Sequence, residues 1–147
     1  MKMKLSNLLK DDEELISELE SNGVELNDNA ALMIIPTPEN RYIKCRQNDE
    51  NVHLEIEDII FIESFAHDVI VHSKRGDHTT SLRIKQFADI LPRESFIQIS
   101  QSAIVAVAHI TKIRAALNTK YYITVSSGEE LTVTRSYYYE FKSFFGI

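Results

Sequence analysis

Three polar residues stand where strand-like apolar patterns break. His67 follows the run 59–65, Gln101 falls between Ile99 and Ala103, and Arg135 separates Val133 from an aromatic C-terminal segment. Their side chains suit the edges of nucleobases. Arg spans guanine O6 and N7 with two parallel hydrogen bonds, Gln does the same for adenine N6 and N7, and His gives or accepts one. Polar residues at strand ends are also ordinary surface, so spacing alone leaves the function open.

Enzyme chemistry finds fewer footholds. The chain has only four glycines and no phosphate-cradling glycine loop, no His-Glu-x-x-His and no nucleophile elbow. His67, His72 and His78 could suggest a metal, but an odd separation puts 67 and 72 on opposite faces of a regular strand. Glu55, Glu57 and Asp58 read as solvated charge at a strand end. Cys45, the single cysteine, reads as a reduced packing residue. The expectation is a protein that is not an enzyme and uses no cofactor, metal or small-molecule substrate.

Positioning these residues falls to short strands. Residues 41–47 and 52–56 alternate around an Asn-Asp-Glu-Asn turn, and 69–73 and 77–82 flank the basic turn Lys74-Arg75-Gly76. Residues 121–125 and 131–134 form a further hairpin around Ser126-Ser127-Gly128-Glu129. Helical spacing is confined to three places. Leu5, Leu8, Leu9, Leu15, Ile16 and Leu19 recur at spacings of three, four and seven and predict a helix over 6–21, residues 82–91 end before Pro92, and 136–145 close the chain. Strands with little room for crossover helices predict a mainly β, antiparallel arrangement.

A helix-strand extension over 1–37 should precede a domain over 38–147, because 30–35 is a short apolar run closed by Pro36-Thr37-Pro38. Charge divides at the same place. Residues 1–40 hold three basic and nine acidic side chains, which accounts for the whole net charge of −6 of this 147-residue chain. The remainder is neutral and can still present a basic face. No stretch of about 18 apolar residues and no secretory pattern occurs, so a cytoplasmic location is expected.

From about residue 57 onward the chain resembles the LytTR DNA-binding domains of bacterial transcription regulators. The resemblance rests on Asp58-Ile59-Ile60-Phe61-Ile62-Glu63-Ser64, on residues 91–105 with Phe96-Ile97-Gln98-Ile99-Ser100-Gln101-Ser102, on Ile110-Thr111-Lys112-Ile113, and on Gly128-Glu129-Glu130-Leu131-Thr132-Val133-Thr134-Arg135. It implies an elongated antiparallel β fold, a sheet or sandwich with one or two short helices, that lays loops into successive major grooves. It also implies that His67, Gln101 with its neighbours Ser100 and Ser102, and Arg135 contact DNA.

Phosphate contacts would come from Lys74, Arg75, Arg83, Lys85, Lys112, Arg114, Lys120 and Lys142. Where many members carry a cation between two small polar residues, Gln101 is neutral. With only about 40 residues upstream, no phosphoacceptor receiver domain is expected. The resulting expectation is a sequence-specific, double-stranded DNA-binding regulator acting as a homodimer or as two copies on repeated half-sites, with a membrane protein as a possible controller. The alternative is a protein-interaction module that kept the fold and lost DNA binding.

Overall fold

The computed structural model describes residues 2–6, 10–28, 33, 34 and 41–147. It divides into two compact units, Met1–Glu39 and Asn40–Ile147.

In the first unit, β1 (Lys2–Leu5) lies between β2 (Glu25–Leu26) and β3 (Met33–Ile34), parallel to both. A parallel pair needs a crossover, and α1 (Glu13–Ser21) supplies it. The Asp12 carboxylate accepts from the Leu15 N–H at 3.0 Å, and Glu13 and Glu14 occupy the first turn, where the helix dipole favours negative charge.

The helix expected over 6–21 therefore starts at residue 13. Leu5, counted in its stripe, pairs with Ile34 in a strand instead, and Asp12 caps the helix start by accepting from one of its orphan N–H groups. Leu8 and Leu9 of that stripe, like most of the apolar run 30–35, lie outside the described residues.

The second unit is antiparallel throughout. Strands β4 (Tyr42–Gln47), β5 (Glu50–Glu55), β6 (Ile59–Phe65), β7 (Asp68–Ser73), β8 (Gly76–Thr80), β9 (Phe96–Ser100) and β10 (Ala103–Ala106) form one sheet in the order β5-β4-β8-β7-β6-β10-β9. A second sheet runs β11 (Ile110–Ala116), β12 (Lys120–Val125), β13 (Glu130–Val133). Helix α2 (Ile84–Ile90) joins β8 to β9, and α3 (Tyr138–Phe145) follows a 3-10 turn at Arg135–Tyr137. That turn occupies the start of the helix expected from 136.

Two cores hold these layers. Ile43, Cys45, Leu54, Ile62 and Val71 pack with Phe87 of α2, whereas Phe61, Ile99 and Val105 pack with Ile123 and Val133 of the second sheet and Phe141 of α3. Phe87 and Phe141 are fully buried, each contributing on the order of 1.5–3 kcal/mol. The hairpin at 48–49 closes with both residues at positive φ, the geometry that suits Asn and Asp in two-residue turns. Gly76 ends the basic turn at φ +98°, and a Cβ there would meet the Gln47 amide at 3.1 Å.

Candidate nucleic-acid interface

His67 sits in a two-residue turn between β6 and β7, closed by the pair Phe65 and Asp68. Ala66 holds φ +56°, an uncommon left-handed conformation for a residue with a Cβ. The turn is braced from outside its hairpin: Arg83, just before α2, donates Nη1–H to the His67 carbonyl at 2.8 Å. His67 thus lies in a turn and not in the strand with His72. The imidazole of His72 lies between Asp77, 2.7 Å from Nδ1, and Glu63, 2.8 Å from Nε2, and stacks on Phe61 at 4.1 Å. His78 is buried, its Nδ1–H donating to the Gly76 carbonyl at 3.1 Å. No group of three metal-ligating side chains occurs among the described residues.

Gln101 occupies a second two-residue turn, closed by Ser100 and Ala103 between β9 and β10. The Ser100 hydroxyl accepts from the Ser102 N–H at 3.2 Å and lies 3.3 Å from the Ser102 hydroxyl. Both serines shape the turn that presents Gln101.

Pairing of β10 with β6 sets Ala103 opposite Glu63, so this turn emerges at the same end of the sheet as His67. The Ser64 N–H donates to the Ser102 carbonyl at 2.8 Å, joining the two turns directly.

Arg135 reaches the same end from the second sheet. Beyond β13 the Thr134 N–H donates to the Ile99 carbonyl at 3.0 Å, so Arg135 follows a residue tied to the strand that carries Ser100. Gln98 strengthens this junction by donating to the Ser100 carbonyl at 2.9 Å and the Tyr137 hydroxyl at 3.2 Å. His67, Gln101 and Arg135 are all exposed, and among the described residues none has a side-chain hydrogen bond or ion pair.

The expected phosphate-contacting cations are not all at this end. Lys120 is, since Tyr121 pairs with Val133 and sets Lys120 beside Thr134. Lys74 and Arg75 lie at the opposite end of β7, where Arg75 Nε is 3.2 Å from Asp58 Oδ2. There Lys74 also faces His109, whose imidazole is pushed below its ordinary pKa, first by burial and then by the Lys74 charge.

Lys112 and Arg114 lie along β11, with Arg114 paired to Glu130 at 3.4 Å and stacked 4.7 Å over Tyr122. Lys85 on α2 and Lys142 in the last turn of α3 are exposed. Tyr121 is buried and stacked on Tyr138 at 4.8 Å.

Sequence reasoning missed two features of this edge. The first is the role of Arg83, which serves a carbonyl sixteen positions away and leaves no local pattern. The second is Phe65, counted within an apolar run but 73% exposed at the mouth of the His67 turn.

The sequence profile of the LytTr DNA-binding domain matches residues 49–146, two thirds of the chain. The chain belongs to the LytTR DNA-binding domain family. This LytTR chain is 30% identical over 91 residues to the sensory transduction protein LytT of Bacillus cereus and, equally, to that of Bacillus anthracis, which covers 62% of the chain. It spans 37% of the length of those relatives. A solved LytTr DNA-binding domain from Bacillus cereus superposes with a TM-score of 0.70 at 22% identity, covering 73% of this chain and 98% of that one, and so shares the fold. No helix among the described residues is long and apolar enough to cross a membrane.

Proposed function

We propose that this LytTR chain is a transcription regulator that recognises specific duplex DNA sequences by inserting the edge carrying His67, Gln101 and Arg135 into major grooves. One observation carries the reading. Three loops from separate parts of the chain, each bearing an unpaired polar side chain able to read a base, meet along one end of the fold through the Ser64–Ser102 and Thr134–Ile99 hydrogen bonds. Adjacent strands lie ~4.8 Å apart, which sets the first two turns about 10 Å from each other. That spacing is on the scale of the ~12 Å major groove.

Arg135 is suited to guanine, Gln101 to adenine and His67 to a single acceptor or donor. Ser100 and Ser102 support the Gln101 turn, and Lys120, beside Thr134, is a candidate for phosphate contact together with the exposed Lys85. A short edge of this kind reads few base pairs, so two copies on repeated half-sites, as a homodimer or side by side, supply the remaining specificity. A membrane protein as controller remains part of the proposal.

Selection of bound fragments from random duplex DNA at several salt concentrations tests it. The expected result is an enriched repeated motif whose affinity falls steeply with salt. Recovery of no motif at any salt, with a protein partner captured instead, contradicts it and favours an interaction module built on the same fold.

A further inference from the structure

Phe65 stands apart from the packing of both cores. It is the last residue of β6 and is 73% exposed. Residues two apart on a strand share a face, so Phe61, Glu63 and Phe65 form one row. Phe61 is buried beneath His72, Glu63 contacts the same imidazole, and only Phe65 projects past this cluster. Among the described residues no ring or cation stacks on it.

Its position is nevertheless fixed. On one side the Ser64 N–H is tied to Ser102, and on the other the His67 carbonyl is held by Arg83. The backbone on either side of an exposed aromatic ring is thus restrained, and a Phe ring has only two torsions left to order on binding.

Arg135 and Gln101 suit purine edges and His67 gives or accepts a single hydrogen bond, so no polar side chain of the edge recognises a thymine methyl. Thymine differs from cytosine in the major groove by its O4 acceptor and its C5-methyl group, and an apolar side chain recognises that methyl by contact. Resting on the DNA-reading function proposed above, we infer that Phe65 is a further specificity residue that packs its ring against a thymine methyl beside the base read by His67.

The test uses the full chain and the duplex that wild type selects from a random pool. Each thymine in that duplex is replaced in turn by deoxyuridine, which lacks only the methyl, and each duplex is titrated with wild type, Phe65→Ala and Phe65→Leu. At one thymine, loss of the methyl should weaken wild-type binding about three- to fivefold, the scale of one buried methyl. Phe65→Ala should weaken binding to the thymine duplex at least as much and bind thymine and deoxyuridine duplexes equally there. Phe65→Leu should keep part of the difference.

Because the side chain is exposed, thermal unfolding should be unchanged in both variants. The inference is overturned if Phe65→Ala keeps the full thymine preference, if it binds as wild type does, or if it alters the oligomeric state of the free protein. Selection of no motif by wild type overturns the DNA-reading function and this inference together, whereas a clear motif that Phe65→Ala still binds normally overturns this inference alone.

Discussion

The backbone N–H of Ser64 donates to the carbonyl of Ser102 at 2.8 Å, across 38 residues of chain. The bond ties the turn carrying His67 to the turn carrying Gln101. Preorganisation of this kind lowers the ordering cost of binding.

Arg83, one of the expected phosphate contacts, also donates Nη1–H to the His67 carbonyl and so supports the turn that carries His67. Arg83→Ala should therefore weaken specific binding by about as much as His67→Ala, and the double variant should lose little more than either alone. The slope of log affinity against log salt should change by well under one. A full unit of slope lost, with additive losses in the double variant, would mark Arg83 as a phosphate contact instead.

Charges at the two ends of the domain should behave differently. Lys120→Ala should reduce the salt slope by about one, because this lysine sits beside Thr134 at the reading end. Lys74→Ala and Arg75→Ala should leave it unchanged. The ion pair of Arg75 with Asp58 is largely exposed on the arginine side and should cost at most about 1 kcal/mol of stability when lost. Salt-dependent titrations and denaturant midpoints separate the two predictions.

These contrasts show where the sequence was informative. The turns at 48–51 and 74–76 could be placed because turn chemistry is local, although the structure narrows the first to residues 48–49, and the polar breaks at His67, Gln101 and Arg135 were visible where apolar strand patterns end. Register was not visible. The pairing that brings the Gln101 turn beside the His67 turn joins strands distant in the chain, and Arg83 acts through a backbone carbonyl that carries no side-chain signature. Phe65 looked like one more apolar residue of a run, since periodicity does not reveal where a strand leaves the core. That α1 begins at Glu13 is set by the Asp12 cap, which the leucine spacing does not reveal.

Cys45 is 3% exposed, and burial pushes its thiol up to about 11. Native protein at pH 8 should react with a thiol reagent only through unfolding, because the thiolate is scarce and screened. Alkylation rates in increasing urea should follow the unfolding transition. Rapid labelling of native protein would contradict the packing seen here.

His109 supplies a pH test. Burial and the Lys74 ammonium lower its pKa below 6.5, so the folded state favours the neutral ring more than the unfolded chain does. This contribution to stability is present above pH 6.5 and is lost as pH falls through the lowered folded value. Lys74→Gln should move the His109 midpoint part of the way back toward 6.5, leaving the effect of burial. Ring-proton chemical shifts followed against pH measure it, and an unmoved midpoint would remove Lys74 as a cause.

The most direct measurement titrates wild type and Arg135→Ala against the selected duplex and a scrambled duplex of equal length and salt. Loss of one bidentate base contact costs about 1–3 kcal/mol of discrimination. Arg135→Ala should therefore lose roughly five- to 150-fold of its preference while keeping weak, salt-sensitive binding to both duplexes. Equal preference in mutant and wild type would contradict base reading by the edge that His67, Gln101 and Arg135 share.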